Sequence, residues 1–90
     1  MLVLSRHIGE SLRIDGDLLV TLAVVGRDFV ELAVSTENQS KPRLVTVGVG
    51  RKVSIADAIS ITLVMNTGGK VRLGIDAPRG TTFERPEFDE

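Results

Sequence analysis

Residues 14–34 read IDGDLLVTLAVVGRDFVELAV, and residues 55–75 read IADAISITLVMNTGGKVRLGI. In the first stretch Asp15-Gly16-Asp17 separates two apolar alternations, the composition of a tight hairpin turn. Leu18 to Val25 then forms a long apolar strand, Gly26-Arg27-Asp28 turns it, and Phe29 to Val34 returns. Glu31 interrupts the apolar residues of the return strand, as it does where one face of a sheet is solvated. The second stretch repeats the plan. Ile59 to Met65 is a strand, Asn66-Thr67-Gly68-Gly69 a turn, and Val71 to Ile75 the next strand.

Outward from these hairpins, every apolar run is short. Met1 to Arg6 alternates, with Leu2 and Leu4 on one face and Val3 and Ser5 on the other, and His7 to Glu10 reads as a turn. Leu12 and Ile14 flank Arg13 in a brief strand. Residues 36–42 sit inside a polar, aperiodic segment (STENQSKP, Ser35 to Pro42) that reads as a linker. Strands follow at Leu44 to Val49 and Val53 to Ile55. Ala77-Pro78-Arg79-Gly80 breaks the pattern, Thr81 to Arg85 makes a last short strand before Pro86, and Glu87 to Glu90 is expected to fray.

Composition agrees with an all-β chain. Its 90 residues suit one domain, and its hydrophobic content of 42% is carried by Val, Ile and Leu, with three Phe and no Trp or Tyr. With no cysteine and one histidine, disulfide, thiolate-zinc and His-rich metal frameworks are excluded. No metal and no cofactor is expected. The acids Asp15, Asp17 and Asp28 lie beside turn glycines or at a strand start, where turn chemistry accounts for them. His7 has no partner in sequence that would make it a catalytic base. VGVGRK (Val47 to Lys52) matches neither phosphate-loop nor dinucleotide spacing. An enzyme is not expected. The opening MLVLSR shows no basic leader and no long apolar run, so no membrane partner and a cytoplasmic location are expected. A net charge of −1 excludes bulk coating of nucleic acid and leaves only a local cluster of arginines for that role.

A shift of 41 residues superimposes the two halves without gaps. Gly9 falls on Gly50, Ile14 on Ile55, Thr21 on Thr62, Leu22 on Leu63, Val30 on Val71 and Leu32 on Leu73. Residues 1–35 and 43–90 therefore read as two copies of one module joined by the linker 36–42, a pseudo-dimer within one chain.

MLVLSRHIGESLRI at the amino terminus resembles the opening of the carbon storage regulator family (CsrA/RsmA), with its M-L-hydrophobic-L-x-R-x-x-G-E pattern. GGKVRLGIDAPRGTTFER, Gly68 to Arg85, resembles that family's later V-R-I-G-I-x-A-P signature and the strand after it. The resemblance implies a small barrel or sandwich of intertwined strands that binds GGA motifs in unpaired or hairpin-loop RNA and regulates translation or stability of mRNA. In the family each RNA site joins the first strand of one subunit to the last strand of the other. Carried over, Leu4, Ser5 and Arg6 represent the first strand, Ala77 and Pro78 lead into the last, and Thr81, Phe83 and Arg85 match its positions. The partners implied are an mRNA or small regulatory RNA, with a protein antagonist as a further candidate. From the residues alone Arg6 and Arg85 read as surface arginines, Leu4 as core, and Phe83 equally as packing or as contact.

The repeat register adds an expectation of its own. Arg6 shifted forward lands on Val47, and Arg85 shifted back lands on Leu44, so one site keeps both arginines and the opposite site is degenerate at Leu44 and Val47. A monomer with one working RNA site follows. The chain also departs from the family. Copy one has Ser35-Thr36-Glu37 in place of an Ala-Pro step, and Pro42 to Val49 must supply both its last strand and the first strand of copy two. Glu84 stands beside Arg85, and the family's carboxy-terminal helix has no counterpart in the pattern. These departures keep a second function open: a protein-interaction module or decoy that retains the fold without RNA affinity.

Overall fold

A computed structural model describes residues 1–38 and 41–86. The tail residues 87–90, and Gln39 and Ser40 of the linker, lie outside the described residues. The strands are β1 (Leu2–Arg6), β2 (Ser11–Ile14), β3 (Leu18–Val25), β4 (Phe29–Ser35), β5 (Arg43–Gly48), β6 (Lys52–Ala56), β7 (Ile59–Thr67), β8 (Lys70–Asp76) and β9 (Phe83–Glu84). All pairings between them are antiparallel.

Local turn chemistry builds the hairpins. Asp15 and Gly16 both adopt positive φ, 54° and 70°, and the Asp17 N–H donates to the Ile14 carbonyl at 3.2 Å. That backbone turns the chain so that three residues, Asp15 to Asp17, join Ile14 to its partner Leu18. Gly68 and Gly69 turn the chain between β7 and β8, with φ of 57° and 87°. The turn is shorter than the expected four residues, because Asn66 and Thr67 continue the ladder opposite Val71 and Lys70. The Asn66 Nδ2 instead donates to the Gly26 carbonyl at 2.7 Å, tying one hairpin to the other.

The strands form two sheets, ordered β1-β8-β7-β6 and β5-β4-β3-β2-β9. Each sheet borrows edge strands across the linker. β1 leaves the first half to pair with β8, while β5 and β9 leave the second half to flank the first. The fold is thus all-β with intertwined strands. The last strand is shorter than expected: Thr81 lies in the turn before it, and β9 proper is Phe83–Glu84.

Alternating residues of both sheets meet in one core. It includes Ile14, Leu22, Leu32, Ile61, Leu63, Ile75, Val30, Val47 and Val71, each under 2% exposed. Adding 41 to the residue numbers carries one ladder onto the other. Ser11↔Thr21 becomes Lys52↔Thr62, Val20↔Val34 becomes Ile61↔Ile75, and Arg6↔Val71 is the counterpart of Val47↔Val30. Two of the three irregularities coincide, one between Leu22 and Val24 and the other between Leu63 and Met65, whereas the shift between Ser54 and Ala56 on β6 has no counterpart on β2. A bulge frees the extra residue from the alternation and turns the neighbouring side chain outward, and Val24 and Met65 are accordingly exposed.

Truncation should separate these positions. Leu22→Ala and Leu63→Ala each remove a wholly buried side chain and should cost about 3 kcal/mol in denaturant unfolding, whereas Val24→Ala at the bulge should cost under about 1 kcal/mol. Equal losses at all three would contradict this core.

Candidate nucleic-acid interface

The two ends of the chain become the free edges of the two sheets, β1 in one and β9 in the other. Ala77 and Pro78 carry the chain from one sheet toward the other, and a tight turn follows. The Thr81 N–H and hydroxyl both donate to the Pro78 carbonyl, at 3.2 and 2.6 Å, across Gly80 at φ 89°. The chain is then fastened to the β2–β3 turn. Asp15 N–H donates to the Thr82 carbonyl at 2.9 Å, and Thr82 N–H donates to Asp15 Oδ1 at 3.0 Å. β9 follows with Glu84 opposite Arg13 and Phe83 opposite Ile14. Phe83 is half-buried and packs against the core, while Glu84 and Arg85 are exposed.

On the β1 side, Leu4 and Arg6 share the inward face and are each 5% exposed. The expectation that both guanidinium groups lie on the surface is therefore corrected for Arg6, and Leu4 is a core residue. Arg6 Nε donates to the Ser5 carbonyl at 2.7 Å and Nη1 to the Ser11 carbonyl at 3.0 Å, so its charge ties β1 to β2. Glu10 supplies the counter-charge with Oε1 3.8 Å from Arg6 Nε. A buried cation that keeps several charge-assisted bonds avoids most of the cost of leaving water.

Burial lowers the pKa of the Arg6 guanidinium, the Glu10 carboxylate raises it, and Arg85 lowers it again. The last effect places the two arginines within electrostatic reach of one another, although they stand at opposite ends of the sequence. Crowded like charges create a positive potential that favours an anion between or above them. Arg72 is exposed directly across from Ser5, and Arg13 is half-buried beside β9. Sequence reasoning missed both as neighbours of the site. Arg72 lies inside the V-R-L-G-I signature, but only strand pairing sets it against β1. Glu10 was visible within the R-x-x-G-E pattern, though its role as the counter-ion of Arg6 was not.

The opposite seam is built differently. Val47 takes the inward position equivalent to Arg6 and is wholly buried. Leu44 lies on β5 opposite Ala33, the counterpart of Val3 opposite Gly74, and so does not stand where Arg85 stands. That expectation is corrected. β5 pairs with β4 as β1 pairs with β8, so it acts as a first strand only, and among the described residues no strand lies on the outer edge of β6. The asymmetry follows from length: the few residues after the linker cannot pair with β4 and cover β6 at once.

Two interlocked antiparallel sheets, whose outer strands include β1 in one and β9 in the other, define a small all-β scaffold. The sequence model of CsrA, described as a global regulator protein family, matches residues 45–90. The chain belongs to that family. It is 49% identical over 41 residues to the translational regulator CsrA of Pseudarthrobacter chlorophenolicus, a match covering 46% of this chain and 53% of the relative. It is 43% identical over 45 residues to the translational regulator CsrA of Hydrogenovibrio crunogenus, covering 50% of this chain and 64% of the relative. The chain thus spans between half and two thirds of the curated relatives it matches. No solved structure matches it. No helix among the described residues is long and apolar enough to cross a membrane, and they hold no cluster of metal-ligating side chains.

The His7 N–H donates to Glu10 Oε1 at 2.7 Å, and this bond, with Arg6 and the His7 ring, holds the Glu10 carboxyl below its usual pKa of 4.5 in spite of partial burial. The folded state therefore favours the ionised form. Its stabilising contribution is complete above about pH 4.5 and is lost as pH falls through the lower folded value. Glu10→Gln should lower the thermal midpoint at pH 7 and flatten its decline between pH 5 and 3, measured by circular dichroism. A variant with the same acid-limb slope as the parent would remove Glu10 from this account.

Proposed function

We propose that the β1–β9 seam binds unpaired RNA carrying a GGA-type motif, and that the chain thereby regulates translation or stability of mRNA in the cytoplasm. The observation that carries this reading is that β1 and β9 are outer strands of the two sheets, with exposed Arg85 close enough for its charge to act on buried Arg6. Sequence-specific RNA readers take unpaired bases, because the A-form major groove is too deep and narrow for side chains. The free edge of β1 offers backbone groups to base edges at alternate residues only, and Ser5, whose carbonyl accepts from Arg6 Nε, is the residue turned away from β8. Arg85 supplies the accessible guanidinium for phosphate or for stacking on a base. Arg6 acts from beneath, positioning β1 and raising the local potential. Ala77, Pro78 and Thr81 set the path of the closing strand, and Phe83 anchors it. Membership in a family whose relatives are named translational regulators supports the same reading. No catalysis is part of it.

The halves coincide in most of their pairing register and in two of three bulges, which supports two repeats standing in for two subunits, with a monomer and one RNA site as the result. A GGA hairpin should bind with sub-micromolar Kd and a GGA-to-CCA control at least about tenfold more weakly. Arg85→Ala should weaken binding by about tenfold or more, and the affinity should fall with salt at roughly −0.7 per phosphate contact. Light scattering should give a particle of 9.7 kDa, the mass of one chain. Absence of GGA-dependent binding at low salt would end the RNA reading in favour of a protein-interaction module, and a particle of about twice the mass would end the monomer.

A further inference from the structure

The outer edges of β2 and β6 pair alike from Ser11 and Lys52 to Arg13 and Ser54, after which β6 alone shifts register, and among the described residues only the β2 edge is covered by a strand. The 41-residue shift carries β2 onto β6, with Ser11 falling on Lys52, Arg13 on Ser54 and Asp15 on Ala56. On β2 the outward edge is covered, since Arg13 and Ile14 face Glu84 and Phe83 and Asp15 bonds with Thr82. On β6 the Arg51 carbonyl accepts from the Leu63 N–H at 3.2 Å, as the Glu10 carbonyl accepts from Leu22 at 3.0 Å. Alternation then turns the backbone groups of Lys52 and Ser54 away from β7. Side chains serve only the far end of that edge. Arg43 Nη2 donates to the Ile55 carbonyl at 2.6 Å, and Ser54 Oγ to the Ala56 carbonyl at 3.2 Å.

Such an edge is a template for strand addition, and β9 shows in the same molecule what it accepts. β9 offers a two-residue ladder in which one apolar residue, Phe83, faces Ile14 and polar residues flank it. Ile55, the counterpart of Ile14, is 3% exposed beside half-buried Val53. The charge around the edge is positive: Arg43, Arg51 and Lys52 are exposed, and only Lys52 has an acidic partner among the described contacts, Asp76 at 3.0 Å.

We propose that the outer edge of β6 is a docking site for an extended partner polypeptide, which adds a short antiparallel strand in the register of β9 on β2. Its apolar or aromatic residue faces Ile55, and an acidic residue lies beside Ser54 as Glu84 lies beside Arg13. This site is separate from the arginine seam and does not depend on RNA binding there.

The probe is a capped peptide with the sequence of Gly80–Arg85, GTTFER. Titrated into the intact chain and followed by amide chemical shifts, it should perturb Lys52 to Ala56 and Arg43 and leave β1 unchanged. Ser54→Pro removes an outward N–H without breaking the β6–β7 ladder and should weaken binding about tenfold. If that variant does not fold, a peptide N-methylated at its backbone tests the same bonds on the unaltered protein and should bind as weakly. A peptide with Ala in place of Phe should also lose affinity. GGA-hairpin affinity should be the same in Ser54→Pro and the parent, so the two readings fail separately. No shifts at millimolar peptide, shifts confined to β2, or equal binding by the N-methylated peptide would overturn the proposal.

Discussion

Pairing of β1 with β8, from Leu2↔Ile75 to Arg6↔Val71, is the constraint on which the molecule depends. It joins the first strand to the second half of the chain. A hairpin needs only its own turn, but this ladder must close a loop of nearly the whole sequence before its bonds repay that entropy. It is stable because the inward faces of both sheets bury one continuous core, with Leu4 and Leu73 meeting across the exchanged edge. Without the exchange, each half would expose the inner face of its hairpins. The halves therefore stabilise one another or neither forms, as subunits of an obligate dimer do.

The same exchange puts a buried arginine at the junction. Arg6 sits where Val47 sits in the other half, inward and nearly inaccessible. A valine there needs only packing. An arginine there needs carbonyls and a carboxylate, which Ser5, Ser11 and Glu10 supply. The apolar solution is the simpler one for stability. What the charged solution adds is a rigid link between β1 and β2 and a positive field beneath the seam, next to Arg85. Removal of Arg6 would disturb the fold as well as the local charge, whereas Arg85 is exposed outside the core and is separable.

The difference between the two seams comes from the loops that lead into them. After β8, Ala77 to Thr82 is long enough to turn, fasten to Asp15 and still supply β9. After β4 the chain reaches Arg43 and is at once committed to pairing with β4. A strand has one backbone edge for each neighbour, and β5 spends its inner edge on β4. One half consequently gains a closing strand, and the other presents a β6 edge that no strand among the described residues covers, with cations around it.

The sequence by itself determined the hairpins, the all-β class and the correspondence between halves. These are local properties: positive-φ turn residues such as Asp15-Gly16 and Gly68-Gly69 fix loop length, and period-two alternation fixes which side chains turn inward. The family resemblance also suggested Arg6 and Arg85 as residues of one site. Only the tertiary structure decided that Arg6 is buried, that Thr81 belongs to a turn, and that Leu44 lies on β4's edge and not on β6's. Those outcomes depend on which of several chemically similar strand edges each segment meets. That choice is made by loop length and by closure of a shared core, and neither is written in the alternation of any one strand.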